Sequence, residues 1–262
     1  MRILLAAKHS PYGLRPIGGV QSWSKTVGQE LMFMGHDVNF WEPGMRADGI
    51  FDVGLIANYA CTNPVLKLCK QYLVICHGII KPEQPPHKNV AFTAEGVRDY
   101  WQGDGPIIRQ PINLHFWKMN EESQRHALVR FSYREGVPEA KIVADRLGLS
   151  YSHIRNKTHE EIRDGLSSAV CALASGRAAL EAMACGVPVV IVDDRHYQGT
   201  LLDVDTVGSM SRNYSGRGGA VPTVESLISA VKEAVDNGSL RQHVEQYHDA
   251  AEITNQLLEA AS

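Results

Sequence analysis

Hydrophobic residues recur along this chain with two periods that alternate from one end to the other. Short apolar runs of strand length are separated by stretches in which apolar residues are three or four positions apart, as on one face of a helix. The first such stretch places Val20, Trp23, Val27, Leu31 and Met34 on one face. Strands that alternate with helices are typical of a parallel sheet with crossover helices, so the pattern predicts the α/β class.

Short apolar runs in the first half of the chain predict a set of strands. They lie at residues 2–7, 37–41, 52–57, 72–76, 89–93 and 106–109. The stretch 109–117 follows neither period and contains Pro111, which is typical of a connector. We therefore predict a first α/β domain over residues 1–118.

The second half repeats the alternation and predicts a second domain of the same kind over residues 119–238. The predicted strands are 127–132, 149–154, 169–173 and 187–192, and the predicted helices are 138–147, 158–168 and 176–185. From Leu240 to Leu258, apolar residues recur at spacings of four and three. This pattern predicts one long helix within 239–262 that packs back on the domains.

The composition narrows the class of protein. With 262 residues, of which 44% are hydrophobic, the chain can form two modest domains with cores of their own, and a disordered or fibrous protein is excluded. The longest apolar run, 186–192, is much shorter than the ~20 residues that span a bilayer. The five scattered cysteines are typical of reduced thiols. The sequence thus predicts a soluble cytoplasmic protein.

Charge is unevenly divided between the two halves. The chain holds 26 Lys+Arg and 29 Asp+Glu, a net charge of −3. Residues 1–120 hold 12 basic and 9 acidic side chains, whereas residues 121–262 hold 14 and 20. This slight basic excess is much smaller than that of a protein that wraps a DNA duplex. The charge is therefore compatible with DNA as a partner but does not predict it.

Two features of the first half could contact a ligand. Gly18 and Gly19 open the first predicted helix, where backbone N–H groups and the helix dipole favour an anion. The alternative is a flexible turn. His77 directly follows the strand 72–76, at the edge where parallel sheets bind ligands, and could orient a hydroxyl or act as a general base. The alternative is a histidine that only caps a loop.

A third candidate lies in the second half. Gly176 opens a predicted helix, Arg177 lies in its first turn, and Glu181 lies one turn later on the same side. An arginine at a helix N-terminus suits a phosphate, and a carboxylate one turn further suits ribose hydroxyls. The alternative is an internal ion pair between Arg177 and Glu181, which opposite charges at this spacing commonly form.

These candidates lie within segments that resemble GT-B glycosyltransferases, in the order in which that superfamily has them. The segment GRAALEAMACGVPVVIVD resembles the donor-binding helix and strand of the superfamily. The first 43 residues resemble its N-terminal strand, Gly-Gly-Val loop and Gly-His-x-Val turn, with the sequence MRILLAAKHSPYGLRPIGGVQSWSKTVGQELMFMGHDVNFWEP. The segment LVICHGI resembles its strand that ends in His-Gly. VAFTAEGVRDYW resembles one of its helix starts, and IIRQPINLHFWK resembles its interdomain connector.

The resemblance implies two Rossmann-like domains with a cleft between them. A nucleotide sugar, expected to be a UDP-sugar, would bind mainly to the C-terminal domain, and the acceptor would approach from the N-terminal domain. Glu181 corresponds to the glutamate that contacts the donor ribose, and His77 to the histidine beside the transferred sugar. Gly18 and Gly19 correspond to the loop near the donor phosphates and sugar.

The basic pair that holds the diphosphate in this superfamily follows the first strand of the second domain. Arg134 and Lys141 are the nearest candidates here, and Arg130 competes with them. One departure concerns the glutamate expected eight positions before Glu181, where this chain has Leu173. Because that glutamate contacts the sugar ring in the superfamily, Leu173 leaves the sugar and the stereochemical outcome open.

The chain is also shorter than most members of the superfamily, mainly on the acceptor side. This compact form resembles small bacterial and phage-encoded glycosyltransferases. Arg212 and Arg217 flank Gly216, Gly218 and Gly219 after the last core strand, and we expect this loop to contact a phosphate or a base. The alternative is a solvated glycine-rich turn.

Together the residues and the resemblance predict an enzyme that moves a sugar from a nucleotide-sugar donor to an acceptor hydroxyl. The expected acceptor is a phage structural protein or a hydroxymethylated DNA base, which would place a phage-encoded enzyme in the host cytoplasm. No metal or other cofactor is expected, although Asp193 and Asp194 follow a strand. Two alternatives remain: a sugar-nucleotide epimerase of the same fold and an inactive module that only binds a nucleotide sugar.

Overall fold

The computed structural model describes residues 1–12, 18–118, 124–132, 137–192, 206–216 and 219–262. These residues form two compact units, one comprising Met1–Asn113 with His248–Ser262 and the other comprising Leu114–Tyr247. Each unit contains one parallel sheet with helices, which confirms the α/β class. Within the described ranges, no helix combines the length and the apolar character that crossing a bilayer requires.

The first unit is built on a five-stranded parallel sheet. Its strands are β1 (Arg2–Ala6), β2 (Asp37–Trp41), β3 (Phe51–Ala57), β4 (Cys69–Cys76) and β5 (Val90–Phe92). They are arranged in the order β2-β1-β3-β4-β5. Its helices are α1 (Gly19–Phe33), α2 (Tyr59–Thr62) and α3 (Glu95–Trp101), and 3₁₀ turns lie at Asn63–Leu68 and Lys81–Glu83.

The strand predicted at 106–109 is wrong. Only Ile107 pairs there, through an isolated parallel bridge to Phe92. The Phe92 N–H donates to the carbonyl of Pro106, and the Ile108 N–H donates to the carbonyl of Phe92, both at 2.9 Å. Pro106 has no amide hydrogen, so the pairing cannot extend before it, and β5 ends at Phe92, so no partner strand lies beyond Ile108.

Apolar side chains cover both faces of this sheet. On one face, α1 packs Trp23, Val27 and Leu31 against Ile3 and Leu5 of β1. The three helix residues are four positions apart, so they form the buried stripe that the sequence pattern predicts. The opposite face has a second apolar cluster, which includes Trp41, Ile56, Val74 and Phe92. Because both faces are buried, the strands appear in the sequence as continuous apolar runs.

The second unit repeats this architecture with four strands. They are β6 (Ala127–Phe131), β7 (Ser150–Ile154), β8 (Ala169–Ala174) and β9 (Val189–Ile191), and they run parallel in the order β7-β6-β8-β9. The helices are α4 (Glu139–Leu147), α5 (His159–Leu166), α6 (Arg177–Ala184), α7 (Thr206–Ser211), α8 (Val224–Asn237) and α9 (Arg241–Tyr247). The strands and helices predicted between 127 and 192 are confirmed, with ends that differ by one or two residues.

The single long helix predicted at the C-terminus is wrong. The chain forms α9 and then a separate helix, α10 (Ala250–Ala261). Between them the Asp249 carboxylate accepts hydrogen bonds from the N–H groups of Ala251 and Glu252, which caps a new helix rather than continuing the old one. The buried face of α10 is centred on Ile253 and Leu257. Of the stripe predicted between Leu240 and Leu258, Val244 and Thr254 are buried and Leu258 is partly buried, whereas Ala251 is exposed.

Candidate functional site

The first candidate site lies at the carboxyl edge of the first sheet. His77 directly follows β4, and its ring meets the ring of Trp23 edge to face, with centroids 5.0 Å apart. Trp23 is buried one turn into α1, so the start of α1 and His77 lie at the same edge. Gly18 and Gly19 thus lie about one turn of α1 before the residue that contacts His77. The preceding loop residues, 13–17, lie outside the described residues.

The start of α1 is compatible with an anion. Gly19 is exposed, and the first turn of α1 contains no acidic residue. The Gly18 N–H donates to Oε1 of Gln21 at 3.2 Å, and a Cβ on Gly18 would lie 2.9 Å from the same oxygen. Space beside Gln21 is thus one reason for a glycine at position 18. The exposed amide end of the helix supports the anion-binding interpretation, which stays a prediction.

The backbone of His77 is held on both sides. Its N–H donates to Oε2 of Glu83 at 3.1 Å, and its carbonyl accepts from Oγ1 of Thr93 at 3.5 Å. Its side chain is half-buried beside Trp23. The imidazole is therefore attached to a well-supported backbone at the sheet edge, as a residue that orients a substrate requires.

Glu83 is a residue that the sequence analysis missed. It lies in the 3₁₀ turn after β4, with only 3% of its surface exposed. Burial raises the pKa of its carboxyl group to about 7, although hydrogen bonds from His77 and Asn58 favour the carboxylate. The available signal was weak: Glu83 is the sole acidic residue between His77 and Asn89, in a segment rich in proline.

The second candidate site lies at the carboxyl edge of the second sheet, where β8 leads into α6. Gly176 precedes α6 with φ +57° and ψ −136°, a backbone conformation that side chains disfavour. Nothing lies within 4 Å of a Cβ built on Gly176, so conformation rather than space calls for glycine here. Its N–H donates to the carbonyl of Tyr214 at 2.7 Å.

Arg177 and Glu181 form a buried ion pair within α6. The Arg177 Nε lies 2.9 Å from Oε1 of Glu181, and each side chain is 5% exposed. Burial raises the pKa of Glu181 to about 7, although Arg177 favours its carboxylate, and burial lowers the pKa of Arg177. The internal pair is thus present, and it orients both groups at the start of the helix. Their contact with a donor stays a prediction.

The loop after α7 is anchored to the start of α6. Tyr214 is buried, its carbonyl accepts from Gly176, and its hydroxyl lies 2.7 Å from Nε2 of His243. Arg212 precedes it and is half-buried. The described part of this loop is therefore packed, unlike a solvated turn, and it brings Arg212 into the neighbourhood of Gly176. Arg217 and Gly218 lie outside the described residues.

The three candidates for the basic pair that binds the diphosphate are Arg130, Arg134 and Lys141, and they do not share one environment. Arg130 is buried in β6, and its Nη1 donates to the carbonyls of Leu173 and Val192 at 3.0 and 3.3 Å. Lys141 is exposed in the first turn of α4, and Arg134 lies outside the described residues. The side chain of Leu173 packs in the apolar core. The roles of these residues stay predictions.

Metal ligation is not indicated by the part of the chain that the structure describes. No group of three His, Cys, Asp or Glu side chains there could hold a metal ion. Asp193 and Asp194 lie outside that part. The expectation of a reaction without a metal therefore stays a prediction.

Comparison with known proteins identifies the fold. No protein-family model and no curated protein matches the chain. A solved structure does: an alpha-glucosyltransferase in complex with UDP and a 13-mer DNA containing a HMU base has a TM-score of 0.61 at 9% identity, covering 100% of this chain and 99% of that one. The chain has the GT-B fold.

Two further structures resemble this GT-B chain less closely. One is an alpha-glucosyltransferase in complex with UDP and a 13-mer DNA containing a central A:G mismatch, with a TM-score of 0.49 at 11% identity. The other is the DNA-modifying enzyme beta-glucosyltransferase in the presence and absence of uridine diphosphoglucose, with a TM-score of 0.48 at 12% identity. Each match covers 100% of this chain and 96% of the other. The GT-B assignment rests on the first structure and confirms the fold that the sequence resemblance implied.

Proposed function

We propose that this chain transfers a sugar from a UDP-sugar to a hydroxyl group on a modified DNA base. The observation that carries the proposal is the start of α6, where Gly176, Arg177 and Glu181 combine a helix N-terminus with a fixed cation and a fixed carboxylate. This arrangement suits a nucleoside diphosphate, since the amides and the guanidinium match phosphate and the carboxylate matches ribose hydroxyls. The alpha-glucosyltransferase with the same fold is a complex with UDP, which supports UDP as the nucleotide.

The chemistry follows from stabilisation of the leaving group. As the bond between sugar and diphosphate breaks, negative charge grows on the UDP oxygens, and preorganised donors aimed at that charge lower the barrier. The start of α6 and Arg177 supply such donors, and Arg212, Arg217, Arg134 and Lys141 are the further cations we assign to the donor. Glu181 holds the nucleoside.

The first unit is proposed to serve the sugar and the acceptor. His77 can accept a proton near neutral pH or orient a hydroxyl, and its backbone is fixed by Glu83 and Thr93. Gly18 and Gly19 present the exposed amide end of α1 at the same edge. We assign His77 to the reacting sugar and hydroxyl, and the glycine pair to the phosphates and sugar of the donor.

A modified DNA base is favoured over a protein side chain as the acceptor. The supporting observation is the bound DNA with a HMU base in the alpha-glucosyltransferase whose fold this chain shares. A base within a duplex must leave the stack before its hydroxyl can react, and a mild positive charge on the acceptor side is compatible with a DNA backbone.

The test uses the purified full chain with a panel of UDP-, GDP-, ADP- and dTDP-sugars. Each donor is incubated with a duplex that contains one hydroxymethylated base and with the matched unmodified duplex, and both nucleotide release and sugar on the DNA are measured. Transfer from a UDP-sugar to the modified duplex alone is expected. An isomerised free sugar nucleotide would instead indicate an epimerase, and binding without turnover would indicate an inactive module.

Two variants separate the donor site from general damage. Glu181→Gln keeps the size of the side chain and is expected to raise the KM for the donor at least about tenfold, as the loss of a charged hydrogen bond predicts. Glu233→Ala, at an exposed position on α8, is the matched control and is expected to leave KM unchanged. Equal donor affinity in Glu181→Gln and the wild type would remove Glu181 from the site.

A further inference from the structure

A chain of hydrogen bonds joins the ends of three neighbouring strands in the first sheet. The Glu83 carboxylate accepts from the His77 N–H, at the end of β4, at 3.1 Å. Its other oxygen accepts from Nδ2 of Asn58, which directly follows β3. Oδ1 of Asn58 in turn accepts from the Lys8 N–H, after β1, at 3.1 Å. We call Glu83 and Asn58, with the two backbone N–H groups, the edge relay.

The two ends of the edge relay fix its polarity. Lys8 and His77 each contribute a backbone N–H, so both ends are donors. With a donor at each end, one of the two side chains between them must accept on both of its sides, and a carboxylate next to an amide meets this need. A neutral amide at position 83 would force two donors to face each other somewhere along the relay, whichever way Asn58 is turned.

Both relay side chains occupy positions that folding alone does not favour. Glu83 is 3% exposed and Asn58 is 7% exposed, and a buried carboxylate is costly to desolvate. Asn58 also has φ +54° and ψ +50°, a left-handed conformation that non-glycine residues seldom adopt, although Asn and Asp tolerate it. Costly groups of this kind concentrate where a protein needs fixed geometry for function.

We propose that Glu83, in its ionised form, is a positioning residue that holds the His77 backbone and the loops after β1 and β3 in the geometry needed for sugar transfer. The proposal rests on the proposed function, since it assigns to His77 a role at the reacting sugar or hydroxyl. Glu83 acts only through His77 and Asn58. The relay spans β1, β3 and β4, which are adjacent in the sheet, so it fixes the edge across three strands at once.

The test exploits the polarity of the relay. Glu83→Gln leaves two donors opposed, and Asn58→Asp places two carboxylates side by side. The double variant Glu83→Gln/Asn58→Asp satisfies every bond again, because the new amide at position 83 accepts from His77 and donates to the new carboxylate at position 58, which also accepts from Lys8. Gln84→Ala, at an exposed position next to Glu83, is the matched control.

Two measurements are made on each full-length variant. The first is kcat and donor KM for sugar transfer: each single variant is expected to lose about ten- to hundredfold in kcat with little change in KM, as a small misplacement of reacting groups predicts. The second is hydrogen exchange of the Lys8 and His77 amides, which does not depend on the reaction. Faster exchange is expected in each single variant, and recovery of both quantities is expected in the double variant.

The outcomes separate the positioning role from the proposed function. A double variant as slow as Glu83→Gln, or a Glu83→Gln variant with wild-type kcat, would overturn the positioning role. A wild type that turns over no sugar nucleotide, while amide exchange still follows the bond polarity, would overturn the proposed function and support the relay as the element that fixes these loops. If Glu83→Gln fails to fold, recovery of folding and exchange in the double variant still supports the polarity argument.

Discussion

The two sheet edges bury a glutamate in two different ways. Glu83 at the first edge and Glu181 at the second are 3% and 4% exposed, and burial raises the pKa of each to about 7. Glu181 faces the guanidinium of Arg177, whereas Glu83 accepts hydrogen bonds from a backbone N–H and a side-chain amide. The cost of desolvating a carboxylate is thus offset by a positive charge in the second unit and by neutral hydrogen-bond donors in the first.

The difference shows what each edge is suited to do. The Arg177–Glu181 pair joins two charged groups one turn apart on the same helix. The bonds made by Glu83 instead reach the ends of β3 and β4, so they restrain the backbone around His77. The second edge therefore holds an oriented pair of charged groups, whereas the hydrogen bonds at the first edge restrain the backbone of neighbouring strand ends.

The largest effect is expected when the cation of the buried pair is removed. In Arg177→Ala, the Glu181 carboxylate stays buried without its guanidinium, and such a change lowers the free energy of unfolding by about 3–5 kcal/mol. Urea unfolding followed by circular dichroism measures it. Arg177→Met/Glu181→Leu removes both charges and should recover most of the loss. A cost near zero in Arg177→Ala would mean that Glu181 is already neutral in the folded chain.

The two helix starts should differ in their tolerance of a side chain. Gly176→Ala forces a Cβ onto a backbone with φ +57° and is expected to cost about 1–3 kcal/mol. Gly18→Ala meets only the flexible end of Gln21, at a φ of −96°, and should cost less. Thermal unfolding of the two variants gives the comparison. Equal costs would show that the backbone conformation of Gly176 adds no more strain than the crowding by Gln21 at Gly18.

A pH dependence is expected from the two raised pKa values. Because the folded pKa values of Glu83 and Glu181 lie above the ordinary value of 4.5, the folded chain binds more protons than the unfolded chain between pH 4.5 and about 7. The free energy of unfolding should therefore fall as pH rises through that window, by at most about 1.4 kcal/mol per pH unit for each group, and level off above it. Urea unfolding at a series of pH values measures this slope.

Variants at the two glutamates divide the pH slope between the edges. Glu83→Gln and Glu181→Gln should each remove the contribution of that glutamate to the pH slope of the free energy of unfolding. A slope that is unchanged in both variants would show that neither glutamate sets the pH dependence.

The sequence predicted most of the fold because both sheets are buried on both faces. Continuous apolar runs marked the strands, and the spacing of three and four marked the helices that cover them. The prediction failed where a local group competed with the period. Asp249 caps a new helix inside an apolar stripe, and β5 ends at Phe92, so the apolar run at 106–109 has no partner strand along most of its length.

The candidate site was predictable where its residues are close in sequence. Arg177 and Glu181 are four positions apart, so helical geometry alone brings them together. Glu83 meets Asn58 across 25 positions, and Asn58 meets Lys8 across 50. Nothing in the local pattern specifies these contacts, because they depend on which strands become neighbours. The hydrogen bond from the Gly176 N–H to the Tyr214 carbonyl was not predicted, for the same reason.

The smallest effect is expected at an exposed pair with the same spacing as the buried one. Lys157 lies 2.9 Å from Glu161, four positions later, and their side chains are 52% and 49% exposed. Lys157→Ala should change the free energy of unfolding only slightly, because water screens exposed charges. The same urea titration in 1 M salt should abolish the difference, since screening acts there within about 3 Å. A cost equal to that of Arg177→Ala would show that helical spacing, and not burial, sets the strength of both pairs, and the contrast between the two edges would then lose its electrostatic basis.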